Sequence, residues 1–205
     1  MKAPLIWGSV AAAVVVPMAL AAGSPLLAWR DAVYTVAGFA GIVALGLVLV
    51  QPLAIGGYLP GLSVAGLRRA HRWVGGALVF AVLVHVGGLW ITSPPDMSDA
   101  LLFESPTPFS PFGVLAMWAI FGVAALAAFR RRLGLRPRAW RLAHMVLAVV
   151  IVVGGLVHAW LIEGTMETVS KGVLCALVAA ATVAVMVDRR VWRWRPRPRP
   201  GVPGS

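Results

Sequence analysis

A chain of 205 residues that is 60% hydrophobic and only 12% charged, with a mean hydropathy of +0.88, is excluded from the soluble globular class. A soluble domain of that size must keep a polar surface. The net charge of +11 would suit a nucleic-acid binder if it were clustered on one face, but the charges sort by loop instead, which argues against nucleic acid.

Six apolar runs recur along the chain, at about 4–22, 32–52, 71–91, 111–130, 142–162 and 168–187. Each approaches the twenty or so residues that cross a hydrocarbon core about 30 Å thick. The expected fold is an all-α membrane protein, a bundle of six transmembrane helices, with one domain over 1–190 and a separate tail over 191–205. The first run, with Lys2 ahead of it and Ala19-Leu20-Ala21 at its end, is similar to a signal peptide. Pro17 and Gly23-Ser24-Pro25 equally suit a first helix ending in a turn, and we read the segment as retained. The second span runs from Asp31 to Val50 and is expected to stop at Gln51-Pro52. A Gly/Pro-punctuated link over Leu53 to Leu67 follows.

The third span is expected to begin near His71 and to stop at Pro94-Pro95. The stretch from Thr92 to Pro111, with five prolines and three acids, is either a cover over one mouth of the bundle or a plain connector. The fourth span ends at Arg130-Arg131-Arg132. A short basic turn through Pro137 leads into the fifth span, and the sixth ends at Asp188-Arg189-Arg190. Cys175, the one cysteine, cannot make an internal disulfide and reads as a small packed apolar residue. The tail, Trp192-Arg193-Trp194-Arg195-Pro196-Arg197-Pro198-Arg199-Pro200, cannot fold alone and is expected to be disordered. Arginine beside tryptophan at a cytoplasmic face suits anionic lipid headgroups, and a docking tail for a soluble partner is the alternative.

With the N-terminus inside, all 18 basic residues except Arg30 and Lys171 fall on the cytoplasmic side. All seven acids except Asp188 fall on the other. This is the positive-inside bias, and it puts both termini in the cytoplasm.

The four histidines form two matched pairs, His71 with His85 and His144 with His158, each fourteen residues apart. At about 100° per residue a step of fourteen returns to within about 40° of its start, roughly 21 Å along the axis. The flanks repeat as well, Arg68-Arg69-Ala70-His71 against Arg141-Leu142-Ala143-His144, and Leu83-Val84-His85 against Leu156-Val157-His158. The third and fifth spans run in the same direction, so His71 is level with His144 and His85 with His158. Each level then offers two imidazoles, the axial set of one haem iron. A zinc site is the competing metal reading, but it wants four ligands in one place. A proton relay tolerates two histidines per level and does not need the repeat; single histidines also bond across membrane helices. Gly75 and Gly154, on or near the ligand face, are expected either to admit a flat cofactor or to let helices pack closely. Arg68, Arg72 and Arg141 are candidate holders of haem propionates at the inner level. Trp90, Thr92, Trp160 and Lys171 are nearby donors at the outer one.

On these stretches, with Leu49-Val50-Gln51-Pro52-Leu53, the chain resembles the ferric reductase-like transmembrane domain over about 30–187. That family includes ferric reductases, NADPH oxidases and the haem-binding subunit of a bacterial methionine sulfoxide reductase. The resemblance implies two b-type haems, with His71, His85, His144 and His158 as ligands, passing electrons across the membrane. The sulfoxide reductase subunit generally lacks a histidine matching His71, so keeping all four implies two complete sites. No Gly-rich dinucleotide loop is present in the sequence. Electrons are therefore expected from a cytoplasmic flavoprotein reductase or a quinol, and to go to an extracytoplasmic acceptor such as ferric iron or a periplasmic protein. On this reading the chain is the electron-transfer component of an oxidoreductase in a bacterial inner membrane. The rivals are a quinol-oxidising cytochrome b subunit of a respiratory complex, a non-redox proton or metal transporter, and a structural subunit with incidental histidines.

Overall fold

The architecture comes from a computed structural model, which describes residues 2–188. The tail expected over 191–205, and the lipid contact expected of it, lie outside the described residues. Among the described residues the chain is all-helical: α1 (Lys2–Ala22), a 3-10 turn (Pro25–Leu27), α2 (Ala32–Gly56), α3 (Val64–Thr92), α4 (Pro94–Leu101), α5 (Ser110–Ala128), α6 (Pro137–Leu161) and α7 (Thr168–Val187). Six of these, all but α4, are long and apolar enough to cross a membrane. That bears out the all-α, six-span expectation.

Local chemistry accounts for the ends. Asp31 accepts from the Tyr34 N–H at 2.8 Å to open α2, and Ser63 from the Gly66 N–H at 3.1 Å to open α3. Both satisfy donors that a helix start leaves bare. Glu167 does the same for α7, accepting from Val169 N at 2.6 Å and Ser170 N at 2.7 Å. The bonds to Ser170 and Val169 hold its carboxyl below the usual carboxylate range.

Three boundaries differ from the sequence expectation. Pro52 does not end α2; the helix continues to Gly56 and closes where Gly57 takes a left-handed φ of 75° and Tyr58 N donates to Leu53 O. α3 starts seven residues before His71 and α6 five before 142, because Ser63 caps one and Pro137 at the first position opens the other. Arg68, Arg69, Arg72, Arg138 and Arg141 are thus helical. The proline-rich stretch after Thr92 contains a helix of its own. Pro94 and Pro95, which end α3, occupy the first turn of α4, where a missing N–H costs nothing.

The helices pack as a closed ring in the order α2, α3, α5, α6, α7 and back to α2, with α1 outside against α2 and α7. The two tightest pairs are the hairpins α2–α3 and α5–α6, and α4 bridges α3 and α5. The core draws Leu45, Val48 and Leu49 from α2, Leu78 and Val82 from α3, Val114, Met117 and Ile120 from α5, and Ile151 from α6. Leu174 and Val178 of α7 are sealed most completely. Between apolar helices in lipid such packing works by dispersion and fit, so small residues set how close two helices come.

Candidate functional site

α3 and α6 carry the four histidines, yet each packs on its own hairpin partner rather than on the other. Of the most apolar stretch of α6 only 6% is buried, against 39% for α2. The two helices nonetheless bring their imidazoles together. His71 and His144 have ring centroids 6.1 Å apart with planes at 53°. His85 and His158 have centroids 6.4 Å apart with planes at 79°. The level pairing read from span direction is the pairing found in space.

At the His85–His158 level the main chain orients both rings. His85 Nδ1 donates to the Ala37 carbonyl at 2.8 Å, and His158 Nδ1 to the Phe109 carbonyl at 3.0 Å. A carbonyl only accepts, so each bond places the proton on Nδ1 and leaves the Nε2 lone pair free. One turn beyond each carbonyl stands a glycine. A Cβ on Gly41 would meet the His85 ring at 3.0 Å, and one on Gly113 would meet His158 Nδ1 at 2.5 Å. A side chain at Gly113 would displace the His158 ring, and one at Gly41 would press on the His85 ring. Phe109 also sets its ring edge-on to His158 at 5.8 Å.

The His71–His144 level is built from side chains. The Gln51 carboxamide of α2 lies against His71. The carboxamide comes within 2.5 Å of His71 Nδ1, 3.3 Å of the His71 carbonyl and 2.8 Å of Gly75 N. His144 is stacked by Trp140 at 5.2 Å and 24°, and the Arg130 guanidinium covers Trp140 at 4.4 Å. His144 Nδ1 and Trp140 Nε1 are buried without a hydrogen-bond partner among the described residues.

Several sequence candidates have other work. Gly75 faces the Gln51 amide, to which a Cβ would come within 3.1 Å. A Cβ on Gly154 would lie 2.8 Å from the Phe112 carbonyl, so this glycine serves the close α5–α6 approach. Lys171 is buried and caps the end of α6, donating to the carbonyls of Ile162 at 2.8 Å and Trp160 at 3.4 Å. Thr92 bonds back to Gly88 and Leu89 of its own helix. Trp90 and Trp160 are exposed. Arg68 and Arg72 are exposed and Arg141 half-buried, on the same helix starts as His71 and His144. Gly41, Gly113 and the carbonyls of Ala37 and Phe109 went unnoticed in the sequence, and Gln51 was read only as a span end and as part of the family stretch. The one available cue is that Ala37 and Gln51 repeat the fourteen-residue step of the histidines.

A family model described as the ferric reductase like transmembrane component matches residues 37–155, more than half of the chain. The chain belongs to the ferric reductase-like transmembrane family. The match opens on Ala37, the carbonyl partner of His85, and includes His71, His85 and His144, ending three residues before His158. No curated protein and no solved structure matches the chain. Ferric reductase-like transmembrane domains generally bind haem and work with reductase or flavin components, and the family's role is electron transfer across a membrane. This ferric reductase-like chain, with six apolar spans, is an integral multi-pass membrane protein.

Proposed function

We propose that this ferric reductase-like chain is a transmembrane cytochrome b. On this reading one haem b is held between His71 and His144 and a second between His85 and His158. The observation that carries the reading is the spacing of the rings. A metal–imidazole bond is about 2.0 Å, and a nitrogen sits about 1.1 Å from the centre of its five-membered ring by ordinary bond lengths. Two imidazoles on one iron therefore hold their centroids roughly 6.2 Å apart. The values of 6.1 Å and 6.4 Å lie at that spacing. The Nδ1 bonds of His85 and His158 to carbonyls support it, since they free Nε2 for the metal. A zinc reading has less support, because no group of three or more metal-binding side chains occurs among the described residues.

Haem bound at these positions supplies one-electron redox chemistry. The chain supplies the rest. The four imidazoles hold the iron, and the Ala37 and Phe109 carbonyls keep two of the rings aimed. Leu78, Val82 and Ile151, buried at positions between the two levels, contribute apolar surface there. Arg68, Arg72 and Arg141, at the helix starts, offer cations to propionates. The sorting of basic residues supports cytoplasmic termini. The His71–His144 level then faces the donor, a flavoprotein reductase or a quinol, and the His85–His158 level faces an outer acceptor. Outward flow of an electron gains about 2.3 kcal/mol per 100 mV of inside-negative potential.

The test is an absorption spectrum of the purified protein with haem quantified as the pyridine haemochrome. Two haems per chain and b-type bands that change on reduction are expected. A colourless protein would overturn the cytochrome reading in favour of proton or metal transport.

A further inference from the structure

We propose, on the cytochrome reading above, that the hydroxyls of Ser105, Thr107 and Ser110 are positioning groups for the haem at the His85–His158 level. They hold the Phe109 carbonyl where His158 needs it, and so set the orientation and donor strength of that ligand.

The two carbonyls that aim the rings of this level stand on unlike supports. Ala37 is buried and lies within α2, where the helix ladder on either side fixes its peptide. Phe109 stands at the N-cap of α5, where the ladder begins, and its side chain makes no capping bond. Helices favour Ser, Thr, Asp or Asn there, because a side-chain oxygen can meet the bare N–H groups of the first turn. Phenylalanine gives that up. Its ring instead lies edge-on to the His158 imidazole at 5.8 Å. Its carbonyl uses both lone pairs, accepting from Gly113 N at 3.2 Å and from His158 Nδ1 at 3.0 Å. The cap position thus serves the ligand, and the start of the helix has to be held by other groups.

A circuit of three hydroxyls does so. Thr107-Pro108-Phe109-Ser110 is a turn in which Ser110 N donates to the Thr107 carbonyl at 3.3 Å. Pro108 takes the turn position that suits its fixed φ, and Phe109 follows at φ -87° and ψ -23°. The side chains close the turn a second time. Ser110 Oγ donates to Ser105 Oγ at 3.2 Å, Ser105 Oγ bonds with Thr107 Oγ1 at 2.9 Å, and Thr107 Oγ1 bonds with Ser110 Oγ. Each hydroxyl has one proton to give. With Ser110 donating to Ser105, the circuit closes when Ser105 donates to Thr107 and Thr107 to Ser110. All three donors are then used inside the circuit, and Ser110 is buried. Ser105 also ties the circuit to α4, since Glu104 N and Ser105 N both donate to the Asp99 carbonyl, at 2.8 and 3.1 Å. α4 follows directly on α3, the helix of His85, and packs on α3 and α5. One connected path therefore runs from the His85 helix through Ser105, Thr107 and Ser110 to the carbonyl that holds His158.

Removing one hydroxyl opens the circuit and leaves its two neighbours short of a partner. The turn relaxes, and the bond from His158 Nδ1 weakens with it. An imidazole whose distal N–H loses its acceptor is less basic, which favours ferrous over ferric iron. The plane of the ring, at 79° to that of His85, loses its restraint as well.

The test is a spectroelectrochemical titration and ferric EPR, with haem content, of the wild type, Thr107→Val, Ser110→Ala, Thr107→Ser and Ser98→Ala. The signal missing from His158→Ala identifies the haem of this level. The anisotropy of a low-spin ferric signal reports the angle between the two axial imidazole planes. Thr107→Val, which keeps the shape of the side chain, and Ser110→Ala raise that haem's potential by about a tenfold change in the ferric/ferrous ratio, about 59 mV for a one-electron couple. They also change its EPR signal and leave the other haem alone. Thr107→Ser keeps the hydroxyl and the wild-type values. Ser98→Ala removes an α4 hydroxyl that donates to Pro94 O at 3.0 Å, outside the circuit, and moves neither haem. Two haems with wild-type potentials and signals in both Thr107→Val and Ser110→Ala would overturn the proposal, as would equal movement of both haems. Should Thr107→Val lose the haem or fail to fold, Ser110→Ala and Thr107→Ser decide. A shift confined to this haem in the first, with wild-type values in the second, supports the role; an unshifted haem in the first or a lost one in the second refutes it. A wild type without haem sinks the cytochrome reading itself; a wild type with two haems and indifferent variants sinks only this inference.

Discussion

His85 and His158 face each other at 6.4 Å across the ring of helices, and each anchors its Nδ1 on a main-chain carbonyl of its own hairpin partner. Both rings are aimed by the main chain, because the Ala37 carbonyl within α2 and the Phe109 carbonyl at the N-cap of α5 neither titrate nor rotate away.

Replacing His85 or His158 with alanine should therefore remove one haem and spare the other. The pyridine haemochrome should fall from two haems per chain to one in each variant. An unchanged stoichiometry in both would break the pairing.

Gly113→Ala should be more damaging than Gly→Ala usually is in a helix. The new methyl would sit 2.5 Å from His158 Nδ1, so the ring must leave the Phe109 carbonyl. Overpacking of this kind costs about 1–3 kcal/mol, and the haem at that level should be lost with it. Gly122→Ala is the control: its methyl meets Leu147 at an ordinary 3.8 Å. It should gain about 0.5–1 kcal/mol from reduced chain entropy and keep both haems. Thermal unfolding in detergent and haem content read out both.

Acid should loosen the start of α7. The bonds from Ser170 and Val169 lower the Glu167 pKa in the folded protein. A depressed carboxylate contributes stability that is complete above its unfolded pKa, about 4.3. That contribution fades as the pH falls through the folded value. Glu167→Gln should flatten this acid limb of a stability-against-pH curve while leaving the neutral plateau nearly level. A wild-type curve already flat below pH 5 would contradict the capping role.

Lys171→Met should destabilise the bundle by about 1–3 kcal/mol, since it strips a buried charged donor from the C-terminal end of α6. The carbonyls of Ile162 and Trp160 would be left facing an apolar side chain. The midpoint of thermal unfolding should drop, and haem content at the neighbouring His85–His158 level should follow only if α6 frays back to His158.

The spans and the histidine levels were legible because both follow from counting along one helix: apolar length for the spans, a step of fourteen for the rings. What stayed hidden depends on two helices at once. Gly41 and Gly113 gain meaning only when an antiparallel neighbour brings a ring over them, and nothing in either helix alone marks them. Gln51 read as the end of a span because Pro52 follows it, yet α2 runs on to Gly56 and carries the amide to His71. Gly75 and Gly154 read either as room for a cofactor or as close helix packing; Gly154 meets the backbone of α5, the packing alternative, and Gly75 meets the Gln51 amide. Pro94 and Pro95 were read as stops, and the helix they open was missed. Lys171 was taken for a free donor because the partner it caps lies in another helix.

α4 makes the two ends of the bundle unlike one another. Its eight residues lean on both α3 and α5 and sink Ala100 into the core, so they act as a strut between the hairpins at the His85–His158 end. The opposite end has no such brace among the described residues. One pair of rings therefore lies at the end where a short helix spans the two hairpins, and the other at the end where the hairpins meet without it.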